Sequence, residues 1–414
     1  MTAAMGADSA WYGTPAAAFE VLDGGICSVP GVRAAGVAAG IKPGGALDVA
    51  VIDAGRTVDV AVLQTTNQVR AAPVEVTARH AADGRARAVV LNSGNANACT
   101  GPAGEQLAMD TCARAAELLG CPTEDVLVCS TGVIGVPLLD ARAALLDGVT
   151  AAVSAAGPDG ADAAARAIMT TDTAPKSVAL RVADDGSSCV VAGMAKGAGM
   201  IAPEMATMLC VVATDAAAPA RVLAPIVRQA ADRTFGRISV DGCQSTNDAV
   251  IVLATGGAER TPGISAFTEG LTAVLGELAE LVVRDGEGAR HLIRIHVVGA
   301  KDVRDAAGLA RAVADSVLVR TAFAGGDPNW GRILAAMGAT SVPFVPERVD
   351  VRFGPLTVCR FGVGASFDAG QAAAILSRHD IDVTIDLNLG SARAMVLTCD
   401  LTHDYVTINA EYTT

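Results

Sequence analysis

Aromatic side chains and positive charge are both scarce in this chain of 414 residues. Phe, Tyr and Trp together make up 3% of the sequence, and 31 Lys and Arg stand against 44 Asp and Glu, a formal net charge of −13. Proteins that bind phosphate backbones or anionic membranes need a basic face. The charge balance therefore argues against nucleic acids and membrane surfaces as partners.

Long apolar runs and a secretory leader are also missing. No stretch approaches the roughly 20 unbroken apolar residues that a membrane-spanning helix needs. The first residues, MTAAMGADSAWYG, contain no basic region followed by an apolar block, which a secretory signal would show. We therefore expect a cytoplasmic protein.

Metal-binding spacings are absent from the sequence as well. Ten cysteines and five histidines are scattered without a C-x-x-C pair or an H-E-x-x-H motif, the spacings typical of zinc and redox sites. We predict no metal site, and we expect the cysteines to be small buried apolar groups in a reducing compartment. Cys129 and Cys210 lie beside candidate site residues, which leaves a thiol role open.

Apolar runs alternate with segments of helical periodicity along the whole chain. Strands are predicted at 48–52, 58–63, 88–91, 125–129, 178–182 and 208–214. Helices are predicted at 104–119, 159–170, 219–234, 265–283 and 302–322. The pattern indicates an α/β fold long enough for two domains or one large one. Periodicity alone does not choose among α/β arrangements.

The most informative segment is residues 194–209, MAKGAGMIAPEMATML. A threonine hydroxyl is a weak nucleophile, but a threonine at a chain start can use its own α-amine, which titrates near pH ~8, as the base. Gly197 and Gly199 permit the strained backbone that scission before Thr207 requires. The segment thus suggests a chain that cuts itself between Ala206 and Thr207. A glycine turn entering a buried strand explains the same residues equally well.

This segment resembles the self-processing signature of the ornithine acetyltransferase family, the bifunctional glutamate N-acetyltransferases of the cyclic arginine pathway. Other blocks resemble the family in the same order: GIK (40–42), TTN (65–67), AAPV (71–74), NSGNANA (92–98), STGVIG (130–135), MTTDT (169–173), DG (241–242), STND (245–248), RDGEGA (284–289), GDPNWGR (326–332) and DLTHDYV (400–406), followed by Asn409 and Tyr412. Each block alone is a weak signal. Together they extend the similarity over essentially the whole chain.

The resemblance implies a layered α/β sandwich of sheets and helices, of the ornithine acetyltransferase and aminopeptidase (Ntn-like) type, cleaved into two chains. Cleavage would give an alpha chain of residues 1–206 and a beta chain of residues 207–414 that begins with the nucleophile. Both halves contain predicted strands, predicted helices and matched blocks, so we expect them to stay together. The family suggests that two such pairs form an α2β2 assembly.

The activity implied by the resemblance is transfer of an acetyl group from N2-acetyl-L-ornithine to L-glutamate in arginine biosynthesis. Thr207 would take the acetyl group as an ester and release ornithine, and the amine of glutamate would then attack that ester in a ping-pong sequence. No cofactor is implied, and the sequence leaves open whether acetyl-CoA serves as a second acetyl donor.

Oxyanion stabilisation is assigned to Thr131 and Gly132, because the tetrahedral intermediates of acetyl transfer need fixed hydrogen-bond donors. These two residues offer a hydroxyl and a backbone N–H in the STGVIG loop. Without the resemblance, the same six residues are typical of an ordinary loop between a strand and a helix.

Substrate contacts are implied at six positions that match the family: Thr173, Lys196, Thr207, Glu287, Asn409 and Thr414. Lys196 is a natural partner for the α-carboxylate that both substrates share, although outside this motif it would be taken for a surface lysine. Glu287 suits the cationic side chain of ornithine. Glutamate would then have to bind with a different arrangement.

Three positions depart from the usual family pattern: Glu204, Leu63-Gln64 and Cys243-Gln244. They leave open a relative that acts on another acyl-amino acid. Two other classes also stay open. A self-processed amidohydrolase or aminopeptidase would use the same nucleophile and pass the acyl group to water, and a non-catalytic binding protein would tolerate the loss of Thr207.

Overall fold

Fifteen strands and eleven α-helices are found in the computed structural model, which describes residues 17–138, 141–202 and 208–411. The strands are β1 (Ala18–Val21), β2 (Arg33–Val37), β3 (Val49–Gln64), β4 (Arg85–Asn95), β5 (Val126–Val133), β6 (Lys176–Asp184), β7 (Ser187–Lys196), β8 (Leu209–Thr214), β9 (Ala249–Ala254), β10 (Leu292–Ala300), β11 (Asp350–Phe353), β12 (Leu356–Arg360), β13 (Val363–Gly364), β14 (Asp380–Asp386) and β15 (Ala392–Cys399).

The helices connect these strands and cover the sheets. They are α1 (Ala72–His80), α2 (Gly101–Leu119), α3 (Arg142–Ala155), α4 (Ala161–Ala167), α5 (Ala220–Arg233), α6 (Ile264–Arg284), α7 (Val303–Ala314), α8 (Val317–Ala324), α9 (Trp330–Gly338), α10 (Ala369–Leu376) and α11 (His403–Glu411). No helix within the described ranges is long and apolar enough to cross a membrane.

The larger sheet has nine strands in the order β1-β6-β7-β8-β9-β3-β4-β5, with β2 added beside β3. Its two central strands, β8 and β9, run parallel to each other, and both pair antiparallel with their outer neighbours, β7 and β3. The central strands follow residue 207 in the chain and their outer neighbours precede it. The sheet therefore interleaves the two halves of the sequence.

Strand β3 joins two parts of this sheet. Its first part pairs with β2 and β4, its last part pairs with β9, and its register on β4 shifts between Asp53 and Val58. Because side chains alternate along a strand, Val49 and Val51 pack under α2 and α3, while Ala50 and Ile52 join a central core shared with β7, β8 and β9.

The outer face of the β6–β9 part is covered by α5 and α6, which complete another apolar core. Helices thus lie outside two facing parts of the large sheet. The smaller sheet has six strands in the order β13-β12-β11-β14-β10-β15, built from residues after 290, and it packs against α7, α8, α9 and α10. This arrangement confirms the predicted layered α/β sandwich.

Most of the predicted elements are confirmed, with one merger and one division. The strands predicted at 48–52 and 58–63 form the single strand β3, and the helix predicted at 302–322 is wrong as one element. It is two helices, α7 and α8, because the hydroxyl of Ser316 accepts a hydrogen bond from the backbone N–H of Val319 and begins a new helix.

Strand β2 and helix α4 approach so closely that Gly36 has no room for a side chain. A Cβ built there would lie 2.0 Å from the carbonyl oxygen of Ala163. We expect Gly36→Ala to lower the free energy of unfolding by about 1–3 kcal/mol, because the clash is with backbone that cannot rotate away. Chemical denaturation measures the change. Gly338→Ala is the matched control, since nothing lies within 4 Å of that position, and a loss of equal size there would contradict the explanation.

Candidate functional site

A cavity of about 150 Å³ lies beside the ends of several strands of the large sheet. Its lining residues come from seven separate segments: Ala96, Thr131, Gly132, Ile134, Thr170, Thr171, Lys196, Gly199, Met200, Asp241, Cys243, Ser245, Thr246, Asn247, Glu287, Tyr405 and Asn409. Most of these side chains are polar or charged, and they come from both halves of the sequence. The cavity is therefore suited to a small polar ligand.

Lys196, the last residue of β7, presents a buried ammonium group to this cavity. Its side chain is 9% exposed. Its Nζ donates to Thr170 Oγ1 at 2.6 Å and to Thr131 Oγ1 at 3.4 Å, and lies 3.7 Å from a carboxylate oxygen of Asp172. Burial lowers the pKa of Lys196, and the charge of Asp172 opposes that shift. The group is thus a cation held in place by neighbouring oxygens.

Asp172 anchors this corner of the site. One of its oxygens lies 2.6 Å from Nζ of Lys176 and accepts the backbone N–H of Gly197 at 2.7 Å, while the other accepts the N–H of Thr170. Burial alone would raise the pKa of Asp172, but the charges of Lys196 and Lys176 hold it well below its ordinary value. Asp172 is therefore ionised at neutral pH.

Thr131 and Gly132, predicted to lie in a loop, belong to the end of strand β5, and the backbone contacts there allow only glycine at position 132. Gly132 has a φ of +130°, and a Cβ on it would lie 2.3 Å from the carbonyl carbon of Gly94 on the neighbouring strand β4. The amide of Asn247 donates to the carbonyls of Ala96 and Ser130 at 2.7 and 2.9 Å. These bonds fix the backbone on both sides of this strand end.

Glu287 lines the same cavity, on a wall formed by the loop just after α6. Its carboxylate accepts a hydrogen bond from the amide of Asn409 at 2.7 Å, and its backbone N–H donates to the carbonyl of Ala198. A Cβ on Gly199 would lie 2.4–2.6 Å from the carboxylate atoms of Glu287. The glycine at 199 is therefore what lets the acidic side chain approach the segment that follows Lys196.

A second carboxylate, that of Asp241, lies close to this wall. It accepts the backbone N–H groups of Met200, Ile201 and Cys243, and the hydroxyl of Tyr405 lies 3.4 Å from it. Burial raises the pKa of Asp241 despite these donors, and the charge of Glu287 adds to the shift. The hydrogen bonds hold the backbone of residues 200–201 against the cavity.

Five of the predicted site residues line this cavity: Thr131, Gly132, Lys196, Glu287 and Asn409. Thr173 does not line it, because its backbone N–H and its hydroxyl both donate to the carboxylate of Asp285. Ala206, Thr207 and Thr414 lie outside the described residues, as does Glu204. The catalytic and substrate-binding roles of all these residues stay predictions.

Sequence reasoning missed several residues that shape the cavity, namely Thr170, Asp172, Asp241, Asn247 and Tyr405. All of them stand inside blocks that carry the family resemblance. The signal was thus present in the sequence, but which side chain each would contact could not be deduced from it.

The thiol role left open for Cys129 and Cys210 finds no support in their surroundings. Both side chains are buried in apolar cores, and neither lines the cavity. Burial raises the pKa of the Cys129 thiol to about 12 and also raises that of Cys210. Since the thiolate is the reactive form, both cysteines act as packing groups.

Comparisons with known proteins give one consistent result. The model of the ArgJ family matches residues 33–414. The chain is 47% identical over 403 residues to the arginine biosynthesis bifunctional protein ArgJ of Symbiobacterium thermophilum, covering 95% of this chain and 100% of that protein. It is 46% identical over 396 residues to the protein of that name in Mycobacterium tuberculosis, covering 94% of this chain and 96% of that protein. A crystal structure of ArgJ from Bacillus halodurans shares 37% identity and a TM-score of 0.49, over 50% of this chain and 100% of that one.

Two buried carboxylates near the cavity should respond to pH in opposite ways. Because the pKa of Asp172 is lowered in the folded protein, this carboxylate stabilises the fold at pH values above its pKa in the unfolded chain, ~3.9. That contribution is lost as the pH falls further. Burial raises the pKa of Asp248 well above its ordinary value, so its contribution is present at low pH and is lost as pH rises. At pH 7 we expect Asp172→Asn to lower the free energy of unfolding by about 3–5 kcal/mol, and Asp248→Asn to raise it.

Thermal unfolding of both variants and the parent between pH 3 and pH 8 makes this comparison. Both differences should shrink towards pH 3. Equal destabilisation by the two substitutions at pH 7 would show that the pKa directions are wrong.

Proposed function

The chain belongs to the ArgJ family, and on that premise we propose that it transfers the acetyl group of N2-acetyl-L-ornithine to L-glutamate, giving L-ornithine and N-acetyl-L-glutamate. The observation that carries the proposal is a cavity lined by both a buried lysine, Lys196, and a buried carboxylate, Glu287. An N-acylated amino acid with a cationic side chain has complementary charges: its α-carboxylate is negative, opposite in sign to Lys196, and its side chain is positive, opposite in sign to Glu287.

Charge complementarity gives the orientation of the donor. Lys196 would bind the α-carboxylate, which ornithine and glutamate have in common, and Glu287 would bind the δ-ammonium group of ornithine. Asn409 already donates to Glu287 and keeps its carboxylate directed along the cavity wall. For glutamate, the neutral donors Tyr405 and Asn409 on this wall are suited to the side-chain carboxylate.

The chemical step needs a nucleophile, a base and an oxyanion site. We propose Thr207 as the nucleophile, with its own α-amine as the base. Its Oγ attacks the acetyl carbonyl, the α-amine takes the hydroxyl proton, and that proton passes to the departing nitrogen of ornithine. The amine of glutamate then attacks the acetyl ester, loses a proton to the α-amine and frees the Thr207 hydroxyl.

Thr131 and Gly132 supply the oxyanion donors in this scheme. The ammonium group of Lys196 donates to Thr131 Oγ1, so the proton of that hydroxyl is free to point elsewhere. A cation behind the hydroxyl also makes it a stronger donor. The φ of +130° at Gly132 sets the direction of the neighbouring peptide groups. A fixed pair of such donors stabilises the intermediates of both half-reactions.

Thr207 can act in this way only as the first residue of a chain, so the proposal includes scission between Ala206 and Thr207. The interleaved sheet supports this, because all six residues of β8 pair with β7 and all six of β9 pair with β3, across the proposed cut. The alpha and beta chains would therefore remain one folded unit. We further propose an α2β2 assembly in the cytoplasm, and acetyl-CoA as a second donor to the same threonine.

Replacing the nucleophile tests cleavage and chemistry together. We expect Thr207→Ala to give one uncut chain without acetyl transfer, because the substitution removes the attacking oxygen. In the parent protein, intact mass spectrometry after addition of N-acetylornithine should show one acetyl group on the fragment 207–414. Acetyl-CoA can be tested in the same assay.

Thr207→Ser is the matched control, since it keeps a hydroxyl and should retain both cleavage and acetyl transfer at reduced rates. Two half-length bands from Thr207→Ala on a denaturing gel would refute the cleavage site. Ornithine release that continues at full rate without added glutamate would instead favour the amidohydrolase.

The oxyanion assignment has its own test in Thr131→Val, which keeps the side-chain shape and removes the hydroxyl. We expect kcat to fall by about 10²–10³, with a smaller change in KM, because the lost donor acts mainly in the transition state. Steady-state kinetics of acetyl transfer measures both constants. Thr150→Val, on helix α3, is the control, and a change of less than threefold in kcat for Thr131→Val would rule out the role.

A further inference from the structure

A second buried lysine, Lys176, lies behind the cavity without lining it. Its side chain is 2% exposed, and its Nζ lies 2.6 Å from a carboxylate oxygen of Asp172 and 2.6 Å from one of Asp285. The third neighbour of this ammonium group is the carbonyl of Ala174, at 3.4 Å. Two carboxylates and a carbonyl oxygen thus surround the ammonium group of Lys176. Lys196, by contrast, lines the cavity and donates to two threonine hydroxyl groups.

The first carboxylate ties Lys176 to one wall of the cavity. Asp172 accepts the N–H groups of Thr170 and Gly197 and lies 3.7 Å from Nζ of Lys196. Thr170 in turn receives the shortest hydrogen bond of Lys196, at 2.6 Å. The position of Asp172 therefore determines where the ammonium group of Lys196 sits.

The second carboxylate ties Lys176 to the loop that carries Glu287. Asp285 follows α6 directly and stands two residues before Glu287, and it also accepts the N–H and the hydroxyl of Thr173. The N–H of Glu287 is bonded to the carbonyl of Ala198, so the loop has little freedom of its own. A displacement of Asp285 would thus be passed to the carboxylate of Glu287.

Charge balance explains why a lysine is needed between the two walls. Lys176 lies between Asp172 and Asp285, and Asp172 also faces Lys196, so that two ammonium groups and two carboxylates form one chain of ion pairs. Without Lys176, two carboxylates would face one ammonium group. Lys196 would then be drawn towards Asp172, and Asp285 would turn away from it towards solvent. Both walls would shift, in opposite directions.

We propose that Lys176 is a positioning residue that sets the separation of Lys196 and Glu287, and through it the length of the amino acid that the cavity accepts. This inference rests on the proposed function, in which those two groups bind the two ends of ornithine. A site of fixed length distinguishes ornithine from lysine, its homologue with one more methylene group. Such a difference typically changes kcat/KM by about 10–200-fold.

The experiment measures acetyl transfer to glutamate from N2-acetylornithine and from N2-acetyllysine, in the parent protein and in Lys176→Met. The readout is the ratio of the two kcat/KM values. We expect the parent to prefer N2-acetylornithine, and the ratio to fall by at least about fivefold in Lys176→Met, because misplacement by about 1 Å is enough to change rates strongly.

Arg87→Met is the matched control. Arg87 also forms a buried ion pair, with Asp53 at 3.1 Å between β4 and β3, but neither residue lines the cavity. Loss of that pair should affect stability while the ratio stays within about twofold of the parent. If Lys176→Met does not fold, Asp285→Asn decides, because it keeps the Lys176–Asp172 pair and weakens the contacts of Asp285 with Lys176 and Thr173. Its ratio should fall in the same direction.

Three results are informative in different ways. An unchanged ratio in an active Lys176→Met protein, or in Asp285→Asn where that variant decides, would overturn the positioning role. An equal fall of the ratio in Arg87→Met would do the same, since it would trace the effect to lost stability. A parent protein that transfers no acetyl group from N2-acetylornithine would refute the proposed function itself, before any variant is compared.

Discussion

The carboxylate of Asp172 is the contact on which the geometry of the cavity depends most. Burial makes an isolated carboxylate unfavourable, and here that penalty is offset by two ammonium groups and two backbone N–H donors. Each partner belongs to a different part of the site. A single ionised group thus fixes the end of β7, the segment around Thr170 before β6 and, through Lys176, the loop after α6. The proposed binding of the substrate carboxylate follows from this arrangement.

The interleaved sheet explains how such a site can tolerate a break in the chain beside it. Strands β8 and β9 are bonded to each other and to strands from the first half on both sides, so both lie in the interior of the sheet and not at its edges. Side chains from β7, β8 and β9 also meet those of β3 and β4 in one apolar core. Separation of the halves would expose that core to water, which the hydrophobic effect strongly opposes.

The sequence predicts the layers of the fold and much of the cavity lining. It does not predict features that depend on contacts between residues far apart in the chain. Apolar runs such as 208–214 were identified because a strand buried on both faces is hydrophobic throughout. The division between α7 and α8 was missed, since Ser316 is compatible with a helix interior and only its capping bond ends the periodicity. Thr173 and Lys176 illustrate the same limit: both bind Asp285, more than 100 residues away, and neither lines the cavity.

Asp172 and Asp248 show that burial alone does not decide how a carboxylate behaves in this fold. Both are nearly inaccessible, yet Asp172 has two ammonium partners and a lowered pKa, whereas Asp248 has only the more distant charge of Lys196 and a raised one. Asp248 directly precedes β9, and the next residue donates to the carbonyl of Met208, the first described residue after 207. A core optimised only for stability would place an apolar residue there. Unfavourable groups are retained mainly at functional sites, which agrees with the proposal that the chemistry takes place beside the start of β8.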